Sequence, residues 1–149
     1  MSVGHYCNRE VAVVDKHTEI RETAKLMRRQ HVGDLVVVEQ RGNETVPVGI
    51  VTDRDLVIEV LAQELDPDTV TVGDLMSFEL VTAREDDELW ETLNRMRSQG
   101  IRRLPVVNPR GGLVGILTAD DVLDLFTEGL SDLAKLARRE IDREAQARP

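Results

Sequence analysis

Two short stretches decide how this chain is read: Gly49-Ile50-Val51-Thr52-Asp53-Arg54-Asp55 and Gly115-Ile116-Leu117-Thr118-Ala119-Asp120-Asp121. Each is an apolar run that closes on a threonine, with a carboxylate three residues further on. That spacing is a helix start: the hydroxyl accepts from a first-turn N–H, and the carboxylate can reach back to the capping residue.

Outward from these motifs, the chain matches itself. In the N-terminal direction the offset is 69: Val3-Gly4 falls on Val72-Gly73, Glu22-Thr23 on Glu91-Thr92, Met27-Arg28 on Met96-Arg97, and Leu35 on Leu104. Past Gly42 and Gly111 it becomes 66, so that Gly49-Ile50 falls on Gly115-Ile116 and Asp55 on Asp121. A chance match does not lose three residues in a turn and then recover its register, so the chain is an internal duplication.

Each copy reads as β-α-β-β-α. Extended stretches at Val11 to Val14 and Leu80 to Ala83 lead into helices with apolar residues Ile20, Ala24, Met27 and Leu89, Leu93, Met96. Buried strands follow at Leu35 to Val38 and Leu104 to Val107, then Gly-bearing turns, a second strand, and a helix opening near Asp53 or Ala119. Units of this size are uncomfortable alone. An α/β (α+β) fold is therefore expected, with repeats at 3–65 and 72–129 packed sheet to sheet over a common core. The stretch from Glu64 to Thr71 reads as a linker and 130–149 as an added amphipathic helix.

Composition narrows the function. The chain of 149 residues carries a net charge of −9 and only 3% aromatic residues. Both features oppose nucleic-acid binding, which needs neutralised phosphates and stacking platforms. One cysteine, Cys7, offers neither an internal disulfide nor, with His5, His17 and His31, a metal-ligand spacing. No nucleophile elbow, P-loop or GxGxxG occurs, so no enzyme is expected. No membrane segment or signal peptide is read either, and a cytoplasmic setting is the expectation.

A helix N-terminus suits a phosphate, and a first-turn carboxylate can accept from ribose hydroxyls. Taken singly, each motif is read first as a simple cap. Its recurrence, the β-α-β-β-α order, the Gly-apolar-apolar-Thr-x-x-Asp pattern and the Ile101-Arg102-Arg103-Leu104-Pro105-Val106-Val107 strand together resemble a cystathionine-β-synthase (CBS) domain pair. The resemblance covers about Val3 to Gly129. It implies an adenosine ligand between the repeats, AMP first, with ADP, ATP, NAD and S-adenosylmethionine as alternatives, and a disk-like homodimer that signals to an unidentified protein partner.

Carried over by position, Thr52 and Asp55 hold ribose and phosphate at one site and Thr118 and Asp121 at the other. Val11-Ala12 and Leu80-Val81 line adenine, Arg102 and Arg103 meet phosphate, and Arg54 and Pro105 complete the set. The copies differ where it matters: Gly33-Asp34 stand where the second copy has Arg102-Arg103, and Asp120 stands where the first has Arg54. One competent site is expected. The competing expectation is a ligand-free dimeric scaffold. Trp90, whose counterpart is Arg21, is assigned to a helix-mediated dimer contact, the alternative being a partly exposed side chain packed against its own tail helix.

Overall fold

A computed structural model describes residues 1–76 and 79–148. The first copy contains α1 (Val3–Tyr6), β1 (Val13–Asp15), α2 (Ile20–Gln30), β2 (Asp34–Arg41), β3 (Glu44–Thr52) and α3 (Asp53–Asp55). A single π-helical stretch, Leu56–Leu61, continues α3, with wide-turn bonds such as Ala62 N–H to Val57 C=O at 2.8 Å. The second copy contains α4 (Val72–Leu75), β4 (Ala83–Arg84), α5 (Leu89–Gln99), β5 (Arg103–Val107), β6 (Leu113–Thr118) and α6 (Ala119–Ala147).

The two sheets are alike. Each has three strands, β1-β2-β3 and β4-β5-β6, with a parallel first pair and an antiparallel hairpin. Each has an irregularity at the same place, Val37/Val38 and Val106/Val107. The first strands start later than the apolar runs: Val11-Ala12 and Leu80-Val81 precede β1 and β4 as irregular backbone. The three extra residues of the first copy do not make a longer turn. They lengthen the hairpin, whose strands meet at the two-residue turn Gly42-Asn43, with Gly42 at φ 60°. Glu44, at the tip of that longer hairpin, accepts from Asn108 (3.1 Å) and pairs with Arg110 (2.7 Å) in the second copy's turn.

The repeats pack sheet to sheet, β3 against β6. A common core, however, does not form; there are two, and each is completed by the other copy. Val3 and Cys7 are buried with Ala83, Leu89, Met96, Leu104 and Leu117, whereas Val72 and Met76 are buried with Val14, Ile20, Met27, Leu35 and Val51. The exchange is reciprocal bond for bond. Val3 N–H donates to Asp87 C=O and Val72 N–H to Thr18 C=O, both at 2.9 Å; Gly4 N–H donates to Glu85 C=O and Gly73 N–H to Lys16 C=O, both at 2.8 Å. The approach leaves no room for a Cβ at Gly4, where it would come within 2.8 Å of Glu85, and makes one tight at Gly73, within 3.0 Å of the Lys16 carbonyl. This explains why Val-Gly recurs ahead of the first strand of each copy.

The last helix is continuous. α6 runs 29 residues without a break near 130, so the second copy's closing helix and the tail are one element. From 127 to 147 every residue of it is exposed.

Candidate functional site

Each threonine motif folds as a helix cap. At the start of α3, Thr52 N–H donates to the Asp55 carboxylate (2.8 Å) and Asp55 N–H to the Thr52 hydroxyl (3.2 Å). At the start of α6, Asp121 N–H donates to the Thr118 hydroxyl (3.1 Å), which donates in turn to the Asp121 carboxylate (2.7 Å). All four side chains are half-buried, so they hold each other while keeping a face toward solvent. The strand-to-helix steps are pinned alike, by Asp53 N–H to Gly33 C=O (2.9 Å) and Ala119 N–H to Arg102 C=O (2.8 Å).

An ion pair joins the hairpins that carry the two motifs. Asp34 lies opposite Thr52 in the first hairpin, and Arg103 opposite Thr118 in the second. Across the junction Arg103 Nη1 meets Asp34 Oδ1 at 2.5 Å. Burial pushes the Asp34 carboxyl above its ordinary range; Arg103 opposes that rise and nearby Asp53 adds to it. Arg102 is engaged as well, donating to Asp120 at 3.1 Å, but both partners of that pair are well exposed. Arg54 is exposed beside the first motif.

The Asp34–Arg103 pair thus joins the strand opposite Thr52 to the strand opposite Thr118, and Asp55 and Asp121 stand at the caps that follow those threonines. Val11, Ala12, Leu80 and Val81 lie half-buried on the irregular backbone before β1 and β4, where Ala12 C=O accepts from Val36 N–H (3.0 Å). Pro105 is buried on β5 opposite Ile116. The pairing of Asp34 with Arg103 has no signature in the sequence, where the two residues stand only as a difference between copies. A hollow of about 430 Å³ lined by Ala24, Met27, His31, Leu56 and Val57 opens elsewhere, between α2 and the π-helical stretch, and touches the first motif only at Asp53.

Trp90, 49% exposed, stacks on Phe126 of α6, with ring centroids 5.3 Å apart and planes inclined by 22°. Cys7 is buried, and its burial pushes the thiol up. Among the described residues no group of three or more His, Cys, Asp or Glu side chains is placed to hold a metal ion, and no helix is long and apolar enough to cross a membrane.

Comparison with known proteins adds to this geometry. The family model for the CBS domain matches twice, at residues 3–62 and 72–128. A protein of Methanopyrus kandleri is 39% identical over 125 residues, which cover 84% of this chain and 62% of that one, so the chain spans less than two thirds of that relative. Among solved structures, the CBS domain pair of protein MJ0100, in complex with 5'-methylthioadenosine and S-adenosyl-L-methionine, superimposes with a TM-score of 0.73. It is 26% identical and covers 87% of this chain and 98% of that one. The cytosolic domain of the Mg2+ channel MgtE, in complex with ATP, gives a TM-score of 0.70 at 29% identity, covering 83% of this chain and 48% of that one.

Proposed function

Because the chain belongs to the CBS-domain family, as a tandem pair, we propose that it is a regulatory module that binds an adenosine ligand between its repeats and passes the event to a protein partner. CBS-pair proteins are regulatory ligand-binding modules, and structural neighbours hold S-adenosylmethionine, methylthioadenosine and ATP. AMP is the first candidate here, ahead of ADP, ATP, NAD and S-adenosylmethionine.

The observation that carries this reading is the junction of the two motifs at the Asp34–Arg103 pair. Thr118 and Asp121 take ribose and phosphate, and Leu80 and Val81 offer backbone and apolar surface to adenine. Arg103 and Arg102 serve the phosphate, because a guanidinium forks onto two of its oxygens. The first site, Thr52 and Asp55 with Val11 and Ala12, has Arg54 but also faces Asp34 and Asp53, and it is the weaker. A phosphate that takes Arg103 competes with Asp34, so occupancy loosens an ion pair joining the repeats. That gives the ligand the differential affinity for two states that regulation requires.

The second reading is a ligand-free scaffold, favoured by one observation: both caps and both arginines are satisfied within the chain. On either reading the module acts as a homodimer, with the exposed Trp90 and the Phe126 ring it stacks on in the contact, in a cytoplasmic setting and without catalysis.

Thermal unfolding with each of the five ligands separates the two. A ligand at a hundred times its Kd adds about 2.7 kcal/mol, a rise of several degrees for a chain of this size. No shift with any of them leaves the scaffold.

A further inference from the structure

We propose that the distal half of α6 pairs antiparallel with the same helix of a second copy, resting on the homodimer reading above and giving that dimer its geometry. One apolar stripe runs along α6: Leu123, Leu130, Leu133, Ala137 and Ile141 are exposed and recur at helical spacing with the half-buried Phe126. Leu130, Leu133 and Ile141 are 68%, 63% and 66% exposed, and no other part of the chain covers them among the described residues. The stripe is continuous with the Trp90–Phe126 stack, so one occupant covers both.

Charge selects the occupant and its direction. Between Ala119 and Asp132 the helix carries Asp120, Asp121, Asp124, Glu128 and Asp132 and no Lys or Arg. Beyond Leu133 it carries Lys135, Arg138, Arg139 and Arg143 against Glu140, Asp142 and Glu144. A parallel pair sets the acidic halves side by side. An antiparallel pair sets Asp120, Asp124 and Glu128 opposite the partner's Arg143, Arg139 and Lys135, twice, about a two-fold axis near Ser131 and Asp132, and the isologous contact closes the assembly at two chains. In that register Leu130 faces the partner's Leu133 and Phe126 faces the partner's Ala137, the alternating layers of an antiparallel coil. The partner's tail then lies over Trp90. The acidic half opposes seating this stripe on an anionic membrane surface.

The test uses the full chain as Leu130→Cys and Ile141→Cys, treated with a short bis-maleimide, beside sedimentation velocity of the wild type and of Arg138→Glu/Arg139→Glu. Antiparallel pairing puts the two introduced thiols of Leu130→Cys near the axis but those of Ile141→Cys about 28 Å apart at 1.5 Å per residue. The expected result is a dimer that cross-links through Leu130→Cys only, with the charge reversal weakening it more than tenfold. Cross-linking of both variants means parallel pairing and overturns the proposal. A wild-type dimer that cross-links through neither overturns it while leaving the homodimer reading in place. A monomer at tens of micromolar ends both, and co-sedimentation of that monomer with phosphatidylserine vesicles gives the stripe to membrane instead.

Discussion

Asp34 and Arg103 hold equivalent positions in the two repeats, 69 residues apart in sequence, and they bond to each other across the junction at 2.5 Å. Positions next to a pseudo-two-fold axis meet their own counterparts, so a duplicated chain can place opposite charges there only after its copies have diverged.

The pair is electrostatically uneven, and its pH dependence follows. Burial raises the Asp34 carboxyl more than Arg103 lowers it. As pH rises from the ordinary carboxylate value toward that raised value, the unfolded chain ionises first, binds fewer protons than the fold, and stability falls. Asp34→Asn has no such titration. The wild type is therefore expected to lose stability relative to Asp34→Asn across that window and to level off above it, measured by urea unfolding over a pH series. A difference that moves the other way would mean that Arg103 dominates. Arg103→Ala leaves the half-buried carboxylate without its cation and costs about 1–2 kcal/mol at neutral pH.

The exchanged segments predict damage at a distance in sequence. Val3→Ala removes a fully buried side chain from the second repeat's core, and Val72→Ala does the same to the first's, each at a cost of about 2 kcal/mol. Hydrogen exchange is expected to show Val3→Ala loosening the amides of β5 and β6, and Val72→Ala those of β2 and β3. Loosening confined to the mutated copy would refute the exchange.

The caps set a baseline that ligand experiments must subtract. Thr52→Ala and Thr118→Ala each remove a hydroxyl that accepts from a first-turn N–H, and each is expected to cost about 1 kcal/mol in thermal or urea unfolding without ligand. A larger loss at Thr118 in the presence of ligand than in its absence marks the occupied site.

Much of the fold was legible from Leu35 to Val38 and Leu104 to Val107, whose apolar runs at a fixed offset name the central strands twice. The exchange was not, because Val3-Gly4 and Val72-Gly73 are too short to show a period. Their recurrence before the first strand of each copy was the available clue: a close backbone approach that crowds a Cβ favours that glycine in both copies. The longer hairpin was hidden similarly, since an insertion after Gly42 reads as turn until Glu44 is seen to reach Asn108 and Arg110. At the site, the threonine and aspartate pairs were visible from spacing alone. The partnership of Asp34 with Arg103 was not, because it depends on where the symmetry axis falls.

The most direct test of the central claim is a calorimetric titration of the intact chain with AMP, ADP, ATP, NAD and S-adenosylmethionine, repeated on Asp55→Ala and Asp121→Ala. One adenosine ligand is expected to bind at a single site per chain, with binding kept in Asp55→Ala and lost in Asp121→Ala. Binding of none of them, or equal binding to both variants, would contradict it.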